Sequence, residues 1–484
     1  MIVRCAVVLC MAAAAAGCSS LGPRGLTAAS PVPEAPERPV ELSPPAPPEM
    51  PSPVIPEHLL EEGATFTLAD VVDIALRNNP VTRTAWLEAL SAQAELGSTR
   101  SAYYPRLDLT IDATRTQQSA LGGQFDFLQT SYGPTVDLSW LVLDLGGRAA
   151  DAEDARLGLL AADWTHNAVV QNVILAVQQT FVAYLNAKAQ LEAARTNVAQ
   201  AQTALDAAEA RHDAGLATIA EVLQSKTALS QEQLAVDRLS GSVLALRGAL
   251  ATAMGLPAST PYDVGNLPSE LPLSLATATV EELIEEARAA RPDLAAARLE
   301  AEQAAARIRS ARAQGLPVLS LGASASRIYY DPATYADYGD SWSARLMLGV
   351  PLFTGFETKY NTEKAKQDAA ASASRADTLE QQVILEVWTS YYGLKTATQL
   401  VSTSRDLLAS AEQSERVAMG RYREGVGTIL DLLAAQSALA DARAEEILAR
   451  SSWFYALAQL AHDVGIASPT LQATVAVIEQ KESP

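Results

Sequence analysis

Cysteine and histidine are scarce in this chain of 484 residues, which contains 3 cysteines and 4 histidines. Cys5 and Cys10 lie in an apolar N-terminal stretch, and the rest of the chain has Cys18 as its single cysteine, so no internal disulfide can form there. The histidines lie far apart and in no metal-ligand spacing, so we expect no metal site. The chain also lacks a P-loop, a G-x-S-x-G elbow and a paired-cysteine motif, so we expect neither a cofactor nor an enzymatic activity.

Positive charge and long apolar runs are also in short supply. The chain has 36 Lys and Arg against 56 Asp and Glu, a formal net charge of -20 that would repel a phosphate backbone, so nucleic acid is not an expected partner. Hydrophobic residues make up 49% of the chain, but alanine supplies much of that share. No run after the first 17 residues approaches the roughly 20 consecutive apolar residues of a membrane helix, so we expect no helix to span a membrane.

The first 17 residues have the features of an exported signal peptide. Arg4 precedes the apolar run Cys5–Ala16, which ends in small residues and is too short to span a bilayer. The segment AAGCSS resembles the lipobox of bacterial lipoproteins, with Ala15 in place of the more usual Leu. This resemblance implies cleavage before Cys18, acylation of Cys18 with chains such as palmitate and, because Ser19 follows, sorting to the outer membrane. An ordinary signal peptide followed by an incidental cysteine is the alternative.

Residues 18–65 are predicted to form a tether between the lipid anchor and the folded body. Within them, Ser30–Pro56 has proline at nearly every second or third position. Such a composition favours an extended backbone and cannot build a hydrophobic core.

The remainder of the chain is one unit used twice. RHDAGLATIAEVLQSKTAL (Arg211–Leu229) has its counterpart in RYREGVGTILDLLAAQSAL (Arg421–Leu439), and Phe66–Leu109 aligns without gaps on Ala278–Leu321. The predicted divisions are a first repeat at 66–256, an inter-repeat linker at 257–277, a second repeat at 278–466 and a C-terminal tail at 467–484.

Each repeat contains two segments with the alternation of β-strands, at about 106–115 and 134–143, and at about 318–327 and 342–352. Leu107 and Leu109 share one face of the first strand, with Asp108 and Thr110 on the other. Such strands suit a sheet over a core, or a membrane barrel that is apolar towards lipid and polar towards a lumen. Because a sheet in lipid must close and the smallest barrels have about eight strands, four strands would need several chains, and a trimer would supply about twelve.

The helical pattern is long and mostly uninterrupted. Helices are predicted at about 147–211 and 218–254, and a continuous helix over the first range would be roughly 100 Å long. Val170, Ile174, Val177 and Phe181 step by four and three, as in a coiled coil. The fold class is therefore α+β with long helices predominating, and the pattern is compatible with a tube of paired helices or with a coiled-coil rod.

The doubled order of helix, two strands and two helices, the strand exits WLVLDLGGR (Trp140–Arg148) and VPLFTGF (Val350–Phe356), and the two glycine turns resemble the TolC family of outer-membrane efflux channels, in particular its OprM-like lipoprotein branch. The resemblance covers roughly residues 66–466. It implies a homotrimer in a Gram-negative outer membrane, with a shared 12-stranded β-barrel that continues into a periplasmic α-barrel. The partners it implies are outer-membrane lipid, a periplasmic adaptor (membrane fusion) protein and an inner-membrane pump.

The resemblance also assigns the two glycine turns as periplasmic tips, where adaptor hairpins dock and the tube narrows. Turn geometry alone explains glycine at 215 and 425, since a reversal between antiparallel helices needs a residue that adopts positive φ without strain. Plain turn chemistry leaves the matched Arg and Thr residues unexplained, which favours docking. The residues on the tip motif are Arg211, Ala214, Gly215, Leu216 and Thr218, with Arg421, Glu424, Gly425, Val426 and Thr428.

Asp431 follows the second turn at a place where members of that family can carry an acidic ring that narrows the pore. Three copies around one axis would raise one another's pKa and attract cations. A second acid may follow a turn later in the family, but Ala434 stands there in this chain, and Glu221 and Gln224 take the matching places in the first repeat. A surface aspartate without a pore role is the alternative for Asp431.

Two aromatic-rich segments, Thr116–Gly133 and Ile328–Trp342, are expected to be external loops, because such barrels keep their long loops on the outside. Trp140 and Trp342 are candidates for the membrane girdle, although a strand tryptophan can equally belong to a core.

A passive export duct of a tripartite efflux system is the function that these features favour. The duct of a type I protein secretion system is the alternative with the same architecture. A lipid-tethered periplasmic scaffold would leave the alternating strands without a role, and nothing in the sequence indicates an enzyme.

Overall fold

A computed structural model describes residues 65–120, 125–265, 271, 279–331, 333 and 336–466. The predictions for the signal peptide, Cys18, the tether, most of the inter-repeat linker and the C-terminal tail fall outside the described residues.

Both repeats have the order helix, helix, strand, strand, long helix, helix. The elements of the first half are β1 (Thr65–Phe66), α1 (Leu68–Asn78), α2 (Pro80–Arg100), β2 (Arg106–Ala120), β3 (Phe125–Leu143), α3 (Gly147–Asp213), α4 (Ile219–Ala253) and, in the inter-repeat linker, a short β4 (Asp263–Val264) that pairs with β1. In the second they are α5 (Val280–Ala290), α6 (Pro292–Ala313), β5 (Val318–Asp331), β6 (Tyr338–Gly349), α7 (Glu357–Arg423) and α8 (Ile429–Val464). The predicted α+β fold with long helices is confirmed.

The long helices begin and end close to their predicted positions. Helices α3 and α7 each have 67 residues, which corresponds to about 100 Å. Before them, α1 and α5 start at capping boxes in which Thr67 pairs with Asp70 and Thr279 with Glu282. Pro80 occupies the first turn of α2, where its missing N–H costs no hydrogen bond.

Among the residues that the structure describes, one helix meets the length and composition test for a membrane span, although no such helix was expected from the sequence. It is α3, where a window of 18 residues has a mean hydropathy of 1.4, and 44% of that window is buried inside the protein. A core helix of a soluble protein passes the same test, so the expectation from the sequence stays a prediction.

The four long strands form one antiparallel sheet in the order β2-β3-β5-β6. Its register places residues of like polarity side by side across all four strands. One apolar row consists of Leu109, Val136, Ala325 and Trp342. The next row is polar and consists of Thr110, Thr135, Ser326 and Ser341. Successive rows face opposite sides, so the sheet has one apolar and one polar face, as the alternation predicted.

The strands are longer than predicted, and the segments expected to be external loops are largely strand. β2 continues to Ala120 and β3 starts at Phe125, so pairing occupies most of the segment between 116 and 133. β5 and β6 likewise extend to Asp331 and back to Tyr338. The polar and aromatic composition of these segments reads as loop, but pairing with the neighbouring strand satisfies their backbone groups.

The two largest clusters of buried apolar side chains lie in different repeats. One cluster joins α1, α3 and α4 around residues such as Ile74, Phe181 and Leu250. Another joins α5, α7 and α8 around Val387 and Trp453, and takes Val182 from α3. The two clusters therefore lie mainly in separate repeats, and α3 contacts α6 and α8 across the boundary between the repeats.

Candidate functional site

The turn between α3 and α4 and the turn between α7 and α8 lie against each other. The guanidinium of Arg211 donates from Nη1 to the backbone oxygen of Tyr422, at 3.0 Å. The two glycine turns that the sequence repeats are thus in one place in the fold, and they form the candidate site.

Both turns have the same backbone geometry. Gly215 and Gly425 have φ values of 73° and 76°, in the left-handed region that glycine adopts without strain. The N–H of Leu216 donates to the oxygen of Arg211 at 2.8 Å, and the N–H of Val426 donates to the oxygen of Arg421 at 3.0 Å. These bonds satisfy carbonyl groups at the ends of α3 and α7, as in a glycine-terminated helix.

The matched threonines cap the helices that leave the turns. The hydroxyl of Thr428 accepts the N–H of Asp431 at 3.2 Å and donates to its carboxylate at 2.8 Å, and Thr218 pairs with Glu221 in an equivalent capping box. Because Thr428 donates to it through both side chain and backbone, the Asp431 carboxylate has a lowered pKa. Helix capping therefore explains why both repeats have threonine at this position, Thr218 and Thr428, which the sequence had left unexplained.

The matched arginines also bond within their own turns. Arg211 and Arg421 each have Nη2 at 3.5 Å from the backbone oxygen five residues later, at Leu216 and Val426. Their repetition no longer argues for docking by itself, so adaptor docking at these residues stays a prediction. Of the predicted tip residues, Leu216 and Val426 occupy equivalent places in the two turns and are each 69% exposed.

Three residues, which we call the tip bridge, join the two turns: Arg211, Tyr422 and Glu221. The Arg211 guanidinium lies over the Tyr422 ring, 5.0 Å from its centroid, and the Tyr422 hydroxyl donates to Glu221 Oε2 at 3.4 Å. Burial, reinforced by the charge of Glu221, raises the pKa of Tyr422. Tyr422 thus reads as a neutral donor that faces a carboxylate.

An apolar cluster lies directly behind the tip bridge. Ala204 of α3 packs there with Tyr422, Ile429 and Leu432, all of which are nearly inaccessible to solvent. Here the core passes from the first repeat to the second, so the bridge and the cluster hold the two turns together.

Sequence reasoning missed Tyr422, although a signal was present. The repeats match at Arg211 and Arg421 and then diverge, with His212 in the first repeat and Tyr422 in the second. An aromatic residue at a position where the two repeats differ indicates a contact that one repeat makes and the other does not.

The structure does not bring Asp431 and Glu221 together as a ring. Asp431 is exposed, and its carboxylate bonds to the cap of its own helix. Glu221 serves the tip bridge in addition to its capping box. A pore-narrowing role for either residue stays a prediction, because it depends on further copies of the chain.

Trp140 and Trp342 lie on the apolar face of the sheet. Trp342 is 81% exposed, whereas the Trp140 indole donates to the oxygen of Tyr103 at 3.1 Å. Trp342 lies level with Val136, so the two tryptophan positions are four residues, about 14 Å, apart along the strands. A membrane-girdle role for either residue stays a prediction.

No cluster of three His, Cys, Asp or Glu side chains suited to a metal ion occurs within the part of the chain that the structure describes.

The chain matches the family model described as outer membrane efflux protein over residues 71–256 and 283–465. It is similar to protein CyaE of Bordetella pertussis, with 26% identity over 382 residues that cover 79% of this chain and 80% of that protein. It is also similar to the toluene efflux pump outer membrane protein TtgF of Pseudomonas putida, with 27% identity over 382 residues that cover 77% of each chain.

Solved structures share the fold. The outer-membrane channel OprN has a TM-score of 0.74 at 18% identity, covering 83% of this chain and 90% of its own. The outer membrane protein VceC from Vibrio cholerae has a TM-score of 0.72 at 20% identity, covering 82% of this chain and 96% of its own.

Proposed function

The chain belongs to the outer membrane efflux protein family, and we propose that it is the passive outer-membrane duct of a tripartite efflux system. In this proposal an inner-membrane pump supplies the energy, a periplasmic adaptor connects pump and duct, and the duct performs no chemistry. The observation that carries the proposal is the two-faced sheet, whose apolar face is exposed.

Large apolar side chains cover that face, and most of their surface is exposed in the single chain. Their exposed fractions are 68% for Leu107, 65% for Leu109, 72% for Ile111, 81% for Trp342, 65% for Leu346 and 63% for Leu348. Such a continuous patch is unfavourable in water and suits lipid. The opposite, polar face suits a water-filled lumen.

The sheet order supports assembly from several copies. β2 and β6 are its edge strands, and in lipid their unpaired backbone groups would each cost several kcal/mol. Pairing β2 of one chain with β6 of the next removes both edges, and three copies give a barrel of about twelve strands.

The layer of long helices also has two open sides, as the sheet has two edge strands. α3 contacts α4 and α8, and α8 contacts α7, so α4 and α7 are the outer helices of this layer. Both expose leucines: Leu223, Leu234 and Leu244 on α4, and Leu385, Leu400 and Leu407 on α7. Joining α4 of one copy to α7 of the next is a head-to-tail contact, which closes a ring when the rotation between copies fits.

The tip bridge and the exposed turn residues have separate roles in this proposal. The bridge holds the two turns of one chain together, and its opening would widen the end of the duct. The adaptor docks at the tip residues, with Leu216 and Val426 as its apolar contacts, and Asp431 and Glu221 narrow the passage. The lipid on Cys18 anchors the chain in the outer membrane.

Native mass spectrometry of the protein extracted from outer membranes in mild detergent tests the proposal. We expect a species of three chains, each lacking residues 1–17 and carrying acyl groups on Cys18. A single chain that is released without detergent would contradict the duct and favour a tethered periplasmic scaffold.

A further inference from the structure

The two edge strands of the sheet, β2 and β6, end at different levels. The register places Arg106, the first residue of β2, level with Arg345, which lies four residues before the end of β6 at Gly349. At the other end, Tyr338, the first residue of β6, is level with Ala113, seven residues before the end of β2. Relative to β6, β2 is therefore displaced towards the end at which it connects to β3.

This displacement limits how β6 of one chain can pair with β2 of the next. Every residue of β6 finds a partner only when the neighbouring β2 is shifted towards the helices by four to seven residues from its level in the same chain. An odd shift would join the polar face of one strand to the apolar face of the other, because side chains alternate along a strand. Shifts of four and six residues remain.

Charges on the polar face of the sheet distinguish these two shifts. On that face of β6, Arg345 is the one charged residue among 338–349. On that face of β2 the charged residues are Arg106, Asp108 and Asp112, and the first two form an ion pair at 2.9 Å. Within the described part of a single chain, neither Arg345 nor Asp112 forms an ion pair, and both are exposed. Each edge strand thus presents one unpaired charge, and the two charges are opposite.

A shift of six residues places Arg345 directly opposite Asp112 of the next chain, with Cβ atoms about 5 Å apart. A shift of four residues would place Arg345 opposite Thr110 and leave the two charges diagonal, at about 7–8 Å. Opposite charges directly across a strand pair stabilise the pairing. Six residues in each chain give about eighteen around three chains, which tilts twelve strands by about 45°, as in membrane strands.

We propose that neighbouring chains join in this register, with Arg345 on β6 paired to Asp112 on β2 of the next chain. The same register aligns Leu346 with Ile111 and Leu348 with Leu109 on the apolar face, so both faces of the joined strands match. Each seam of the barrel then has one ion pair on its lumen side. This inference rests on the proposed function, because it requires the edge strands to meet in a closed barrel.

Disulfides between introduced cysteines test the register in the full-length protein in outer membranes. Thr114→Cys with Ser343→Cys, and Thr116→Cys with Ser341→Cys, are directly opposite in the proposed register. The same four positions recombined, as 114 with 341 and 116 with 343, report registers that differ by two residues in either direction. Two other strands separate β2 from β6 within one chain, so any disulfide joins two chains.

After oxidation, a denaturing gel without reductant measures the linked chains, and the unsubstituted protein gives the background from Cys18. We expect about fivefold more linked chains from the direct pairs than from the recombined pairs, because a disulfide needs Cα atoms within about 7 Å. Equal or greater linking in a recombined pair would overturn the register and leave the closed barrel standing. No linking in any of the four variants would overturn the pairing of β2 with β6, and the register with it.

Exchange of the two charges is a second test. Arg345→Asp and Asp112→Arg each place like charges opposite one another, so each should lower the temperature at which the assembled protein dissociates on a gel. With both substitutions the pair forms again with reversed polarity, and most of the loss should be recovered. Arg345→Asp with Asp137→Arg is the matched control and should recover less, since Asp137 lies on the inner strand β3. Equal recovery in the two double variants would contradict the pair.

Discussion

At the scale of single residues, Tyr422 contacts the guanidinium of Arg211, the carboxylate of Glu221 and an apolar cluster at the place where the two helix turns meet. A side chain with several partners of different chemistry responds measurably to a change of one atom. Predictions for this site are therefore best made with substitutions that keep the ring in place.

Tyr422→Phe removes the hydroxyl that donates to Glu221 and retains the contact of the ring with Arg211. The lost hydrogen bond is long, at 3.4 Å, and a loss of about 1 kcal/mol shifts a closed-to-open equilibrium roughly fivefold towards open. We expect a matching rise in open probability in planar bilayers. The control is His212→Phe, at the exposed equivalent position of the first repeat, and an equal rise in both variants would contradict the tip bridge.

Glu232 is a carboxyl group of α4 whose pKa is raised, first by burial, with Asn197 opposing the shift and Asp441 adding to it. Because the folded chain holds this proton more tightly than the unfolded chain, the group lowers stability once the pH exceeds its unfolded pKa. Glu232→Gln should raise the melting temperature at pH 7.5, where the carboxyl group is ionised in the unfolded chain. At pH 4, just below the unperturbed pKa of Glu, the substitution should change the melting temperature little.

Glu412→Gln, at an exposed position of α7, controls for the change of net charge. A gain at pH 4 as large as that at pH 7.5 would show that ionisation of Glu232 is not the cause.

At the scale of the elements, pairing between β3 and β5 depends on the absence of a side chain at Gly133. A Cβ at that residue would overlap the backbone oxygen of Arg327 on the facing strand. At Gly322 of β5, by contrast, a Cβ would lie 3.9 Å from the oxygen of Leu138, an ordinary contact. Two glycines in one sheet thus differ in the room around them.

Gly133→Ala should therefore separate the strands locally and lower the free energy of unfolding by about 1–3 kcal/mol. The temperature at which the assembled protein dissociates on a gel measures the effect, with Gly322→Ala as the matched control. Equal melting of the two variants would mean that the strands can shift to accept a side chain at 133.

At the scale of the whole molecule, the two open sides of the sheet and of the helix layer predict where copies of the chain meet. Leu400 on the outer helix α7 is 52% exposed, and Leu448 on the inner helix α8 is 47% exposed. Leu400→Glu places a charge in the proposed interface and should lower the share of three-chain species in native mass spectra. Leu448→Glu should leave the three chains together, and loss of assembly in both variants would contradict α7 as the contact surface.

The sequence by itself determined the repeat, the positions of the long helices and the two faces of the strands, because these depend on local periodicity and on comparison of one half with the other. It also located the glycine turns, since a helix reversal needs a residue at ease with positive φ. Family membership followed from the same order and spacing.

Only the tertiary structure decided which partners the residues of the two glycine turns and of the strands have. It gave Thr218 and Thr428 a capping role, joined Tyr422 to Arg211 and Glu221 across about half the chain, and extended the strands through segments that read as loops. The physical reason is that burial, pairing and strain belong to contacts between distant segments, and a local pattern carries no record of them.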